Sequence, residues 1–207
     1  MRTVMLGIAM VMAGTSAAAQ QRLPSPDGHA ATEIGGHYVG AQNPLYVDGR
    51  WIEISYGRPI KRDRDLWGSP TTYGQWLNRG APVWRAGADV STYLTTEVPL
   101  VINDTTIDPG GYSMFIVLEP DDWTLIVSEW QPQPQYDPSN HNQLWGSYAY
   151  TSDKDVVRAP MTLSTLPFSV DQLTWSFLDM TDAGGRLAIM WDTMMAAVPF
   201  AVGAAQR

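Results

Sequence analysis

Apolar and polar residues alternate with a period of two along much of the chain after residue 50. In the stretch 173–178, Leu173, Trp175 and Phe177 share one face, and the polar residues between them fall on the other. Residues that alternate in this way occupy opposite faces of a strand. The same stretches are rich in the β-branched and aromatic residues that favour strands. The pattern therefore predicts half-buried strands, and it shows no long amphipathic helix.

Turn sequences separate the predicted strands. Residues 119–122 (EPDD) join two of them as a hairpin, and 108–111 (DPGG) form another turn. The predicted strands are 51–56, 92–103, 112–118, 123–130, 156–163, 173–178, 187–191 and 196–202. Short strands without intervening helices predict an all-β fold, namely a single antiparallel β-sandwich or flattened barrel of about eight to ten strands.

The N-terminal residues have the layout of a secretory signal peptide. Arg2 precedes an apolar run over 4–13, and Ala17-Ala18-Ala19 offers a processing site. The run is shorter than the roughly 20 residues that span a bilayer, and no later stretch looks transmembrane. We therefore predict a signal peptide over 1–19, a flexible segment over 20–45 and one β domain over 46–203. The mature protein is expected to be exported, either periplasmic or secreted.

Charge and cysteine content exclude several classes of protein. The 207 residues carry a formal net charge of -8 and no cysteine, which leaves no disulfide, thiolate metal site or cysteine nucleophile. The acidic balance argues against a nucleic-acid partner, which needs clustered cations. The charges are segregated, however: residues 50–85 hold seven Lys and Arg against three acids, whereas 104–155 hold nine acids and only Lys154. We expect the two segments to meet and neutralise each other.

Two arginine-containing motifs are the strongest candidates for a binding site. The first is Tyr56-Gly57-Arg58-Pro59, followed by the basic stretch 61–64, and the second is the sequence WRAGAD at 84–89. A guanidinium forks onto oxygens while a neighbouring aromatic ring supplies a stacking face, a combination that suits a carboxylate, a phosphate or a sugar. The alternative is that these arginines pair with structural carboxylates or lie on a solvated face.

The motifs occur in the order YGRP…KRDRDLWG, WRAGAD, DPGGYSMF…WTLIV and WGSYAY…DVVR. In this order they resemble a bacterial family of exported proteins catalogued as a domain of unknown function, number twenty-nine eleven. The resemblance covers about 51–202 of this chain and implies an exported β-rich domain, without a reaction or a ligand. Asp89 stands where the family usually has asparagine. A contact made by an amide donor would be lost there, because an ionised carboxylate only accepts hydrogen bonds.

Other chemistries have weaker support. A carboxylate pair for glycoside hydrolysis would have to come from Glu53, Glu97, Glu119 or Glu129 on or near the strands. The three histidines are scattered, and no two share a metal-ligand spacing. The oxygen-rich loop 137–142 lacks the glycine and glutamate of an EF-hand.

We therefore interpret the chain as a non-catalytic binding or interaction module of the cell envelope with an anionic or carbohydrate ligand, no metal and no cofactor. The alternative is a hydrolase that acts on envelope saccharide or lipid. The candidate ligand contacts are Arg58, Trp84, Arg85, Asp89, Trp145, Asp155 and Arg158. We also expect Arg58 and Arg85 to lie near Asp155. Strand alternation would place Asp155 and Arg158 on opposite faces, unpaired.

Overall fold

The computed structural model of the protein describes residues 24–204 and consists mainly of β-strands. Nine strands form one antiparallel sheet in the order β1-β4-β5-β8-β9-β12-β13-β6-β7, which confirms the all-β prediction. In chain order the strands are β1 (Asp27–Ile34), β2 (His37–Val39), β3 (Leu45–Val47), β4 (Arg50–Gly57), β5 (Thr92–Thr96), β6 (Leu100–Ile102), β7 (Thr105–Ile107), β8 (Gly110–Leu118), β9 (Trp123–Ser128), β10 (Gln131–Pro132), β11 (Gln143–Leu144), β12 (Asp155–Thr181) and β13 (Gly184–Val202). The predicted signal peptide, 1–19, lies outside the described residues.

The long strand β12 belongs to both halves of this sheet. Its first part pairs with β9, and its second part pairs with β13. The sheet folds back on itself, because the end of β4 contacts the second part of β12. The Trp175 backbone N–H donates to the Tyr56 hydroxyl at 3.0 Å, and Ile60 forms a β-bridge with Gln172. Two layers therefore face each other across one core.

Tryptophans fill the core at one end of the two layers. Trp67 and Trp84 contact each other, and each contacts Trp123 and Trp191, with ring centroids 4.9 to 6.3 Å apart. Trp84 stacks on Trp191 at an interplanar angle of 11°. Trp51, which falls in the predicted strand 51–56, lies outside this core and is 45% exposed. Strand alternation turns it outward from β4.

A second apolar cluster lies on the other side of the β8–β9 hairpin, where the segment 130–150 crosses over it. Phe115 and Ile126 are fully buried there, and Phe115 packs against Tyr150 at 4.9 Å between ring centroids. The hairpin is therefore covered on both faces, which explains why its strands read as continuous apolar runs.

The segment predicted to be flexible, 20–45, contains an ordered strand. β1 pairs with β4 along its whole length, from Asp27 opposite Gly57 to Ile34 opposite Arg50. Its small and polar residues carry almost no apolar periodicity, so the sequence missed it. Backbone pairing to β4 provides the hydrogen bonds that define the strand.

Helix is scarce in residues 24–204. The structure contains a four-residue helix, α1 (Gln75–Asn78), and a 3₁₀ turn at Ser152–Lys154. None of the helices in this part of the chain has the length and apolarity needed to cross a bilayer.

Candidate functional site

A cavity of about 280 Å³ opens where the loop after β4, helix α1 and the turn 84–89 meet. Four arginines, three tryptophans and one acid in its lining define what we call the arginine pocket: Arg62, Arg64, Arg79, Arg85, Trp76, Trp84, Trp191 and Asp89. Trp84 and Trp191 form its buried inner wall, whereas Trp76 is 46% exposed.

Close backbone contact brings the two arginine motifs together. The Ala88 N–H donates to the Gly57 carbonyl at 3.1 Å. A Cβ on Gly57 would lie 1.9 Å from the Ala88 carbonyl oxygen, so only glycine permits this approach. On the other side of the turn, Trp84 forms a backbone bridge with Ile116 on β8. The WRAGAD turn is therefore held between β4 and β8.

Arg64 is fixed by the loop that carries it. Its Nε donates to the Lys61 carbonyl at 2.9 Å, and its Nη2 donates to the Ile60 carbonyl. The guanidinium carbon lies 4.7 Å from the Trp76 ring centroid and 5.7 Å from that of Trp191. Stacked between rings and bonded to two carbonyls, this side chain is positioned before any ligand arrives.

Arg85 is held in a comparable way from the neighbouring turn. Its Nη1 donates to the Asp89 carbonyl at 2.9 Å. The Gly146 backbone packs against the guanidinium so closely that a Cβ there would lie 2.7 Å from Nη1. Ser91 fixes Gly146 in turn, because its hydroxyl donates to the Gly146 carbonyl at 2.6 Å.

None of the four pocket arginines has a carboxylate within 4.0 Å among residues 24–204. The expectation that the basic segment is neutralised in the fold is therefore wrong for this cluster, although Lys61 does pair with Asp192 at 2.6 Å. Burial and the nearby Arg79 lower the pKa of Arg85, which Asp89 opposes. Burial, Arg62 and Arg79 likewise lower the pKa of Arg64. Guanidinium groups nevertheless stay protonated, so the cavity lining keeps a surplus of positive charge.

Arg58 is close in sequence to residues that line the arginine pocket, but it does not line the pocket itself. Its Nε donates to the Leu173 carbonyl and its Nη2 to the Thr174 hydroxyl, each at 3.0 Å. The side chain ties the end of β4 to β12. Of the seven sequence candidates, only Trp84, Arg85 and Asp89 line the pocket.

Asp155 and Arg158 pair with each other, contrary to expectation. Arg158 Nη1 lies 2.7 Å from Asp155 Oδ2, which also accepts the Tyr150 hydroxyl at 2.6 Å. A bulge explains the error: Asp155 is opposite Ser128 while Val157 is opposite the next residue of β9, so Val156 interrupts the alternation. Asp155 and Arg158 then share a face.

Arg58 and Arg85 were expected to lie near Asp155, but neither of them pairs with it. The Asp155 carboxylate bonds to Tyr150 and Arg158 instead of Arg58 or Arg85. Its second oxygen, Oδ1, is buried without a hydrogen-bond partner in the described chain. Asp155 and Arg158 therefore stabilise the 150–158 segment and are not part of the arginine pocket.

Trp145 lines a different cavity, of about 340 Å³, formed by the polar loop 133–149. Its ring lies 6.2 Å from that of Tyr136. The buried Gln133 organises the loop, because its Nε2 donates to the carbonyls of Asp137, Asn140 and Gln143 at 3.0 to 3.2 Å. Trp145 therefore does not share a cavity with Arg85, although the next residue, Gly146, touches the Arg85 guanidinium.

The four glutamates considered for hydrolysis are dispersed. Glu53 pairs with His29 at 3.2 Å, and Glu97 Oε2 accepts the Trp51 backbone N–H at 2.8 Å. Glu119 closes the β8–β9 turn. None of the four lines the arginine pocket.

Residues 41–200 match the model of a family described as a protein of unknown function (DUF2911). The chain belongs to this family. The match confirms the family resemblance and spans every arginine and tryptophan of the arginine pocket. Among curated proteins and among solved structures, nothing matches the chain. The family description names no activity.

Several pocket residues were missed as ligand contacts by sequence reasoning. Trp76, Arg79 and Trp191 stand outside the quoted arginine motifs, and Arg62 and Arg64 were noted only as part of the basic stretch. The usable signal was the charge surplus between residues 50 and 85. Positive charge that exceeds local acids within one segment is evidence for an anion partner as much as for a distant acid.

Proposed function

We propose that this protein is a non-catalytic binding module of the cell envelope whose arginine pocket holds a small anionic ligand. One observation carries the proposal: four arginines gather around one cavity and have no carboxylate partner within residues 24–204, in a protein whose net charge is -8. The signal-peptide pattern predicted at 1–19 supports the envelope location.

Electrostatics favour an anion at this position. Burial disfavours the charged form of both Arg64 and Arg85, Arg79 repels both guanidiniums, and Arg62 also repels Arg64. An anion beside these groups would relieve that cost. Arginine is more weakly hydrated than lysine, so a partly buried guanidinium gives up less hydration when it binds oxygens. A cationic cleft in an acidic surface also concentrates anions near itself.

Replacement of Arg85 by glutamine tests this proposal. Inorganic phosphate, sulfate and citrate are titrated by calorimetry into the mature protein at low ionic strength, where such contacts are least screened. We expect at least one anion to bind the wild type. Arg85→Gln should weaken it by about 10- to 150-fold, since a charge-assisted hydrogen bond contributes about 1.5–3 kcal/mol.

Arg50→Gln is the matched control, because it removes the same charge at the opposite end of β4 from Gly57. Arg50 is exposed and does not line the arginine pocket. Its loss should change affinity by less than about twofold through long-range charge alone. Equal losses in the two variants, or no anion bound by the wild type, would contradict the proposal.

Gly146→Ala tests the positioning of Arg85 without changing any charge. The added methyl would collide with Arg85 Nη1, so we expect the guanidinium to shift and anion affinity to fall about tenfold. Alanine at φ 62 also costs about 1–2 kcal/mol of stability. Gly35→Ala provides the control, because Gly35 has φ 76 and nothing within 4 Å of a Cβ. That variant should lose similar stability in thermal melts and retain affinity.

A further inference from the structure

We propose that the arginine pocket recognises a phosphomonoester dianion in preference to a carboxylate. This inference rests on the proposed function and names the ligand class of the same site. The inference depends on which N–H groups of Arg64 and Arg85 have no protein acceptor within residues 24–204, and on the positive charge around these two side chains.

The open donors outnumber the oxygens of a carboxylate. Arg85 uses Nη1 for the Asp89 carbonyl, so its Nε and Nη2 edge has no acceptor among residues 24–204. That edge is one bidentate fork, which covers two oxygens of one anion. Arg64 uses Nε and Nη2 for backbone carbonyls, which leaves Nη1. The two side chains together offer donors for three oxygens.

A phosphoryl group has three peripheral oxygens, and a carboxylate has two. The fork of Arg85 engages both oxygens of a carboxylate, so a contact from Arg64 would have to share one of those oxygens. A phosphoryl group accepts the bidentate fork of Arg85 and the single donor of Arg64 at the same time. The two arginines come from different chain segments and line the same cavity.

Charge leads to the same ligand. Arg62 and Arg79 are exposed side chains of the same lining, so four positive charges face the single carboxylate of Asp89. A monoanion leaves most of this charge uncompensated. A phosphomonoester carries about -1.5 to -2 at pH 7 and balances it more closely. Trp76 is exposed at the rim of the pocket, and the accessible part of its ring would offer an apolar surface to the organic part of the ester.

The experiment compares anions of equal charge and different shape. Glycerol 3-phosphate, inorganic phosphate, sulfate and succinate are titrated into the mature wild-type protein at pH 7.5. We expect glycerol 3-phosphate to bind at least tenfold more tightly than succinate, a dianion with planar carboxylates. Succinate binding as tightly as phosphate would overturn this inference and leave the anion site standing. No binding of any of the four would remove the proposed function itself.

Ligand protonation provides a second test. The second ionisation of a phosphomonoester lies near pH 6, so affinity for glycerol 3-phosphate should fall severalfold from pH 7.5 to 5.5. Sulfate keeps its charge over that range, and its affinity should stay constant. A parallel fall for both ligands would place the titrating group on the protein and contradict recognition of the dianion.

Two variants locate the contact. Arg64→Gln should reduce glycerol 3-phosphate affinity by at least tenfold and succinate affinity by much less, since only a third oxygen needs Arg64. Arg50→Gln should affect neither. If Arg64→Gln weakened the affinity for both ligands equally, the pocket would not distinguish a phosphoryl group from a carboxylate, and the inference would be wrong.

Lipid and soluble sources of the phosphomonoester are then distinguished by sedimentation with phosphatidylcholine vesicles that contain phosphatidic acid. Co-sedimentation that glycerol 3-phosphate reverses identifies a lipid headgroup, and binding of the free ester alone identifies a soluble metabolite. Either result supports the inference. Equal binding to phosphatidylglycerol, a monoanionic diester, would refute the preference for a monoester.

Discussion

Truncation of Trp84 to alanine should lower the free energy of unfolding by about 3–5 kcal/mol. The side chain is 1% exposed and stacks on Trp191 in the tryptophan cluster, with an interplanar angle of 11°. Its removal leaves a cavity between the two layers that the rigid backbone bridge to Ile116 keeps from collapsing. Urea unfolding followed by circular dichroism measures the loss.

Trp76→Ala is the matched comparison, because the same side chain is removed from the exposed rim of the same pocket. With 46% of its surface accessible, Trp76 should contribute about 1 kcal/mol or less. A small effect of Trp84→Ala, or equal effects of the two variants, would show that the stacked tryptophans are not part of the stabilising core.

Asp155→Ala should destabilise the protein by about 2–3 kcal/mol. The Asp155 side chain is 6% exposed and accepts hydrogen bonds from Tyr150 and from Arg158. Its loss leaves the buried Tyr150 hydroxyl without its acceptor, and a hydrogen bond to a charged group contributes about 1.5–3 kcal/mol. The partly exposed Arg158 can rehydrate, which limits the penalty.

The exposed pair of Arg186 with Asp179 provides the comparison for this prediction. Asp179→Ala removes a carboxylate that is 69% exposed and should cost less than about 1 kcal/mol. Anion binding should be unchanged in Asp155→Ala, because Asp155 lies outside the arginine pocket. If Asp155→Ala lost anion binding but kept its stability, Asp155 would have a role in binding and this prediction would be wrong.

The sequence was most informative for strands that are deeply buried and bounded by clear turn residues. The β8–β9 hairpin was predicted with its turn at 119–122, because both strands are apolar on both faces and the turn residues are unambiguous. β1 escaped notice because its residues are small and polar. A strand defined mainly by backbone pairing leaves little trace in an apolar pattern.

The relation between Asp155 and Arg158 was unpredictable for a different reason. Strict alternation would place Asp155 and Arg158 on opposite faces of β12. The extra residue at Val156 places them on the same face instead. Valine is common in regular strands, so the local sequence does not predict a bulge at this position. Its position depends on how β12 is paired with β9.

The arginine pocket was predicted in part. The WRAGAD motif identified Trp84, Arg85 and Asp89, all of which line the cavity. Arg58 was expected there too, but it reaches acceptors on β12 instead. Trp191 comes from β13, about a hundred residues away in sequence, and only the fold brings it to the pocket.

Side-chain NMR of the arginine Nε–H groups tests the central claim most directly. Inorganic phosphate is titrated into the labelled mature protein at pH 7.5, and the Arg85 resonance is assigned by its absence in Arg85→Gln. We predict a saturable shift of the Arg85 Nε–H resonance, whose open edge receives the anion, and an unchanged resonance for Arg50. An Arg85 resonance that stays in place, or moves no more than that of Arg50, would contradict the account.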